Sequence, residues 1–178
     1  INVPYCLELD QEERIYKKIL SKADFKAHIA PHTIKVASMF SVMSRLKKSG
    51  KCDVLTKMKI YNGEEVIEKG RVKNIDINDL REEHREEGMT GISTRFIMKS
   101  IDHALVMSEN HCVTPIGVMK SITRMVKEQI VDEDTREKCL ELIQNVVREE
   151  YLKILETEIA KAFITAYEEQ AQSLFDTY

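Results

Sequence analysis

The fold is decided by residues 132–178, which read DEDTREKCLELIQNVVREEYLKILETEIAKAFITAYEEQAQSLFDTY. Apolar side chains recur there at three- and four-residue spacing, which is the period of one helix face. The stripe comprises Cys139 or Leu140, Ile143, Val147, Tyr151, Ile154 or Leu155, Ile159, Phe163, Tyr167, Ala171 and Leu174. Asp132 or Asp134 can cap its start, and no Gly or Pro interrupts it. The pattern predicts one long helix over 133–178, in which the apolar stripe of about 40 residues is roughly 60 Å long at 1.5 Å per residue.

A helix of this length is longer than a domain of 178 residues can cover. Its far end is therefore expected to pack against another part of the parent protein or against another subunit. We predict Phe163, Tyr167 and Leu174 as the side chains of that interface. One hypothesis for the function is accordingly structural, with the C-terminal helices serving as an oligomerisation or partner module.

The rest of the chain also has helical periodicity. Helices are expected from Asp10 with Glu13 as a capping box, from Pro31 to a glycine stop at Gly50, over 53–61, over 78–87, over 93–107, and from a Thr114–Pro115 cap onward. Residues 1–5 are typical of the end of a strand, because Pro4 cannot donate within a central ladder. The predicted fold is an all-α helical bundle with a long C-terminal helix and at most a short strand remnant at the N-terminus. A boundary near residue 50 would divide it into 1–50 and 51–178.

Composition narrows the class of protein. The chain is 43% hydrophobic and 32% charged, with three Pro and no Trp, which is typical of a soluble helical protein. Its apolar runs are too short for a membrane span or a signal peptide, so we expect a cytoplasmic parent that does not bind membranes. A net charge of −3 with mixed signs argues against nucleic-acid binding. The chain begins at Ile1 and ends within an amphipathic pattern, so both ends are expected to be cuts in a longer protein.

No metal site is predicted. His28 and His32 are four residues apart, but Pro31 places a helix start between them and no glutamate follows His28. A turn is expected to separate His103 from His111 and Cys112. The four cysteines are far apart without a CxxC pair, so we expect reduced thiols rather than disulfides or zinc ligands.

The segment that most suggests a functional site is residues 88–96, GMTGISTRF. The two glycines permit a tight turn, Ser93 is a good helix cap, and Arg95 falls in the first turn of the helix that follows. The helix dipole opposes a cation there by some tenths of a kcal/mol. Exposed N–H groups at a helix start and an arginine fork both suit phosphate oxygens. Arg95 is therefore a candidate anion contact; the alternative is an ordinary ion pair with Glu86 or Glu87.

Several unusual strings occur together in this chain: VPY at 3–5, HIAPHT at 28–33, KMKIYNGE at 57–64, EGMTGISTRF at 87–96, and AF at 162–163 through SLFD at 173–176. In this order they resemble the PrkA serine protein kinase family over essentially the whole chain. The resemblance implies that 1–50 ends an AAA+ ATPase module and that 51–178 starts a helical PrkA C-terminal domain, with an AAA+ lid-like bundle. Within the family pattern, the segment 88–107 resembles a sensor 2 element. This implies that Arg95 reaches nucleotide phosphates, with Gly91 and Ser93 shaping the turn.

The phosphate-binding motifs of ATPases and the motifs of eukaryotic-type kinases are both missing from the 178 residues. There is no GxxxxGK[ST] loop and no acidic pair after a hydrophobic strand, nor any VAIK, HRD or DFG motif. The fragment alone is therefore expected to be inactive and to bind no cofactor, whereas the full-length parent is expected to use ATP and Mg.

The resemblance implies a lid and C-terminal regulatory fragment of an ATP-dependent serine/threonine protein kinase, which senses nucleotide and couples it to the C-terminal domain. The alternative is part of an AAA+ ATP-dependent protease or remodeller. Expected partners are a protein substrate, the upstream AAA+ core, the downstream C-terminal region and a second copy of the protein.

Overall fold

A computed structural model describes residues 3–23, 25–68, 71–72 and 75–177; for residues 68, 71–72 and 168–177 it describes only the backbone. Helices dominate this part of the chain. They are α1 (Leu9–Lys22), α2 (Thr33–Arg45), α3 (Val54–Tyr61), α4 (Ile77–Glu83), α5 (Thr94–Val106), α6 (Pro115–Gln129) and α7 (Glu133–Glu141), followed without a break by a π-helical segment (Leu142–Val147) and α8 (Arg148–Thr177). The predicted all-α fold with a long C-terminal helix is confirmed.

The strands in the described residues are two residues long. β1 (His28–Ile29) pairs in parallel with β4 (Cys112–Val113), and β2 (Ile67–Glu68) pairs antiparallel with β3 (Arg71–Val72). Among the described residues before α1, Tyr5 N–H donates to Gly88 O, in a loop, at 2.8 Å. The short strands thus lie away from the N-terminus, where the remnant was expected.

Four helix starts were predicted correctly from local sequence. In each, a side-chain oxygen accepts a hydrogen bond from an N–H in the first turn, which satisfies a donor that has no partner inside the helix. The caps are Asp53 at α3, Ser93 at α5, Thr114 at α6 and Asp132 at α7.

The predicted bounds of the first two helices were wrong. α1 begins at Leu9 without a side-chain cap, and the Asp10 N–H is bonded by the Asn62 side chain at 2.9 Å. α2 begins at Thr33 after His32, whose φ is 63°, and it ends at Arg45 rather than near Gly50. It ends there because Leu46 turns to extended backbone and Lys47 N–H donates to the Glu87 carboxylate at 2.6 Å. These partners are distant in sequence, so local patterns could not indicate them.

The core is built around α2, which is buried along almost its whole length. It packs against α1, α3, α5, α6 and the π-helical segment. One hydrophobic core therefore crosses residue 50 and contains residues from both predicted parts of the chain.

The long C-terminal helix changes character along its length. Cys139, Ile143, Val147 and Tyr151 are buried in the core. Farther along, Phe163 is 66% exposed and Tyr167 74% exposed, while the side chain of Leu174 lies outside the described residues. Within the part of the chain that the structure describes, no helix is both long and apolar enough to cross a membrane.

Candidate nucleotide-sensing loop

Where the sequence predicts a tight turn, the structure has an irregular loop, residues 88–93, that leads into α5. Gly88 and Gly91 have φ of 83° and 112°, which favour glycine. A Cβ on Gly88 would lie 2.9 Å from Tyr5 O, and one on Gly91 would lie 2.8 Å from both Ser44 O and the Arg45 Cγ. Both glycines are therefore needed for close contact, Gly88 with the N-terminal segment and Gly91 with the end of α2.

Replacing Gly91 with alanine is expected to destabilise the chain by roughly 2 kcal/mol or more, because strain at positive φ adds to a steric clash with backbone. Gly50→Ala is the matched control, since a Cβ there meets nothing within 4 Å; its change should stay within about 0.5 kcal/mol. Urea unfolding of both variants measures the difference. Equal, small changes would show that the loop can move off α2 at little cost.

Ser93 caps α5 by accepting a hydrogen bond from Phe96 N–H at 3.2 Å. The residue before it, Ile92, is buried and its N–H donates to the Ser44 Oγ at 2.9 Å. The start of α5 is thus fixed both by its own cap and by the end of α2.

Arg95 lies in the first turn of α5 and is exposed. Among the described residues it has no hydrogen-bond or ion-pair partner. The two carboxylates proposed as alternative partners are occupied elsewhere, since Glu86 pairs with Lys47 and Glu87 pairs with Lys57. The guanidinium is therefore free to meet an anion from outside this chain segment.

A buried cluster holds the loop from the side of α2. Arg45, whose side chain is 0% exposed, pairs with Glu12 at 2.7 Å and donates to Ile92 O at 3.0 and 3.1 Å and to Cys6 O at 2.8 Å. Tyr16 donates to Glu12, and burial beside that carboxylate raises the pKa of the Tyr16 hydroxyl, so it remains a donor. We call Arg45, Glu12, Ser41 and Tyr16 the Arg45 cluster.

A second buried ion pair holds the other end of the loop. Lys57 contacts Glu87 at 2.7 Å, with side chains 0% and 2% exposed. The Tyr61 hydroxyl donates to the same carboxylate at 3.0 Å, and its pKa is raised by burial and by the charge of Glu87. This Lys57–Glu87 pair joins α3 to the residue directly before Gly88.

Neither buried ion pair was predicted from the sequence. Arg45 and Glu12 are 33 residues apart, and Lys57 and Glu87 are 30 apart. The only local sign was a charged residue at a core-facing position: Arg45 lies beside Leu46 in the helical stripe, and Lys57 lies beside Met58. Such positions also suit a side chain whose charged end reaches solvent, so the pattern alone could not assign them.

An open groove of about 460 Å³ adjoins the Lys57–Glu87 pair. Its lining consists of Cys6, Leu7, Glu8, Tyr61, Arg81, His84, Arg85 and Glu87. Its lining has two guanidinium groups and two carboxylates, and one of these carboxylates, Glu87, is already paired with Lys57. The described residues that line the groove include no glycine, unlike the glycine-rich loops that bind nucleotide phosphates.

The histidines and cysteines form no recognisable site. The β1–β4 pairing places His28 opposite Cys112, yet no group of three His, Cys, Asp or Glu residues in the described ranges is arranged to hold a metal ion. His103 Nδ1 lies 3.1 Å from the Ser121 hydroxyl, a contact between α5 and α6. Burial raises the pKa of the Cys139 thiol to about 11, which disfavours the nucleophilic thiolate.

Two family models together match almost the whole chain. The model of the PrkA AAA domain matches residues 1–53, and the model of the PrkA serine protein kinase C-terminal domain matches residues 55–178. A relative from Bacillus subtilis (strain 168), named ATP-dependent protease PrkA, is 37% identical over 180 residues, covering 99% of this chain and 28% of the relative. A relative from Escherichia coli (strain K12), named serine/threonine kinase YeaG, is 29% identical over 188 residues, covering 100% of this chain and 28% of the relative.

No solved structure matches this chain significantly. The chain spans 28% of the length of the curated relatives it matches. The two domain models meet between residues 53 and 55, within the core that α2 organises. Because the two family models match residues 1–53 and 55–178, the chain belongs to the PrkA family.

Proposed function

We propose that this chain is the nucleotide-sensing lid and relay segment of an ATP-dependent enzyme, in which Arg95 contacts nucleotide phosphates. The observation that carries the proposal is the exposed guanidinium of Arg95 at the start of α5, which has no polar partner among the described residues and follows a loop that two buried ion pairs hold in place. Backbone N–H groups at a helix start and a guanidinium fork are both suited to phosphate oxygens. ATP use by the full-length protein is supported by the AAA domain match and by the name of the Bacillus relative.

Hydrogen exchange in the full-length protein tests the nucleotide contact. Addition of Mg-ADP is expected to slow amide exchange in residues 88–96, because a bound phosphate orders the loop and occupies its N–H groups. The turn at 107–111 serves as an internal control and should exchange at an unchanged rate. Equal protection of both segments, or of neither, would contradict a local contact.

For the reaction, we propose ATP-dependent phosphorylation of serine or threonine in a protein substrate. Support comes from the description of the matched C-terminal domain and from the name of the Escherichia coli relative. ATP-dependent proteolysis is the second candidate, favoured by the name of the Bacillus relative, which has the higher identity. Phosphoamino-acid analysis and a peptide-release assay, both on the full-length protein with Mg-ATP, separate the two.

The 178-residue chain alone is proposed to be inactive, because its sequence holds no phosphate-binding loop and no magnesium-binding acidic pair. Turnover by a pure sample of it, abolished by a substitution within it, would contradict the assignment as a lid.

We further propose that the exposed part of α8 docks on the rest of the same polypeptide. Ile159, Phe163 and Tyr167 recur at four-residue spacing and are at least 55% exposed, which forms an apolar stripe along one helix face. The remainder of the protein is the favoured occupant because the relatives extend far beyond this chain, which spans 28% of their length. Leu174, predicted for the same interface, follows Tyr167 by seven residues in sequence, which is about two helical turns.

Phe163→Glu in the full-length protein is expected to lower the melting temperature by several degrees while leaving the molar mass unchanged, since burying a charge in an apolar contact is costly. Thr165→Glu adds the same charge near the opposite side of α8 and should have little effect. Calorimetry and light scattering measure both quantities. A fall in molar mass would instead identify a second copy as the occupant, and an unchanged melting temperature would contradict the interface.

A further inference from the structure

We propose that Arg45 is a positioning residue that ties the segment preceding α1 to the loop that carries Arg95, so that the two move together. The inference rests on the proposed nucleotide contact of Arg95. It assigns to Arg45 a role in coupling that a purely stabilising ion pair would not have.

The contacts of Arg45 join three segments that are distant in sequence. Its Nη1 donates to Cys6 O at 2.8 Å, in the segment that enters α1. Its Nη2 contacts Glu12 in α1 at 2.7 Å. Both Nε and Nη2 donate to Ile92 O, at 3.1 and 3.0 Å, so one carbonyl of the loop is held by two N–H groups of a planar fork.

Further contacts join the segment before α1, the loop and Arg45. Tyr5 N–H donates to Gly88 O at 2.8 Å, and the Tyr5 ring centroid lies 4.8 Å from the Arg45 guanidinium carbon. Gly91 has no Cβ and therefore lies directly against Arg45. A displacement of residues 5–6 would break these hydrogen bonds unless the loop moved with it.

The path from this junction to Arg95 is short. Ile92, whose carbonyl Arg45 holds, directly precedes the Ser93 cap, and Arg95 is the second residue of α5. Ser93 is bonded to Phe96 N–H, so the cap and the first turn form one hydrogen-bonded unit. Arg95 itself has no polar partner among the described residues, so its position follows that of the backbone beneath it.

Arginine suits this role better than lysine. A lysine could keep the charge beside Glu12, but a single ammonium group cannot satisfy the carbonyls of Cys6 and Ile92 with the fork geometry. Arg45→Lys therefore preserves the buried ion pair while loosening the link between the N-terminal segment and the loop.

The experiment is a double-mutant cycle on ATP hydrolysis by the full-length protein, with rates corrected for the folded fraction. Arg45→Lys is expected to lower kcat/KM for ATP by about fivefold or more in the wild-type background, and by less than about twofold when Arg95 is already alanine, because residues that act through one another are not additive. Val147→Ala, a buried substitution in the π-helical segment, is the control for lost stability and should leave kcat/KM unchanged.

Each outcome distinguishes the claims. Equal effects of Arg45→Lys in both backgrounds, or no effect in the wild type, would overturn the positioning role while leaving the Arg95 proposal intact if Arg95→Ala is slow. A normal rate for Arg95→Ala would overturn the nucleotide contact and this inference with it. If Arg45→Lys does not fold, Tyr5→Leu replaces it, because Tyr5 is 39% exposed and its ring contacts the same guanidinium; a smaller loss, again confined to the wild-type background, is expected.

Discussion

Arg95→Ala in the full-length protein is expected to slow ATP hydrolysis by a factor on the order of ten to a thousand. A guanidinium that faces the nucleotide stabilises charge that develops on the transferring phosphoryl group, and an arginine supplied to such a site is worth that much or more. Because Arg95 is exposed and unpartnered in the described structure, its loss should leave the fold intact. A steady-state hydrolysis rate and a melting temperature for the same variant are the two measurements.

Two further variants test whether the loss of rate is specific to the guanidinium of Arg95. Arg95→Lys should restore only part of the rate, because a point charge cannot reproduce a fork. Lys99→Ala removes another exposed cation from α5 and should hydrolyse ATP normally if Arg95 acts locally. A wild-type rate for Arg95→Ala would make Arg95 an ordinary surface charge, and an equal loss for Lys99→Ala would point to a long-range electrostatic effect of the helix.

Much of the fold could be predicted because its signals are local. Helical periodicity and side-chain caps operate within four residues, so Ser93 and Thr114 identified two helix starts directly, and Asp132 was one of two candidates for a third. The first helix shows the limit of such signals. Asp10 and Glu13 match a capping box, but the chain uses Asn62, 52 residues away, to bond the Asp10 N–H.

The candidate site likewise has features that local sequence predicts and features that it does not. The glycine conformations and the Ser93 cap follow from residue type and spacing, and both are present. What holds the loop in place was not predictable, because Arg45 and Glu87 meet their partners only through tertiary packing. The sequence also did not predict that Glu86 and Glu87 form ion pairs with lysines, although these pairs leave Arg95 without either of its proposed partners.

Lys57→Met is expected to destabilise the chain by about 3–5 kcal/mol, because it leaves the Glu87 carboxylate buried without its cation. The side chains of this pair are 0% and 2% exposed, so water cannot replace the lost partner without opening the core. The Lys47 N–H and the Tyr61 hydroxyl still donate to Glu87, but neutral donors do not cancel a buried charge. Urea unfolding measures the loss.

Two control variants test whether the loss of stability in Lys57→Met comes from the burial of the Glu87 charge. Lys17→Met breaks an ion pair with Glu13 in which the lysine is 62% exposed, and it should cost at most about 1 kcal/mol. Adding Glu87→Gln to Lys57→Met should recover much of the stability, because the amide oxygen can still accept from Lys47 N–H, the amide NH2 can donate to the Tyr61 hydroxyl, and the uncompensated charge is gone. If Lys57→Met were as mild as Lys17→Met, water would have to reach Glu87. The residue before Gly88 would then not be firmly held, and the loop that presents Arg95 would be fixed from the Arg45 side alone.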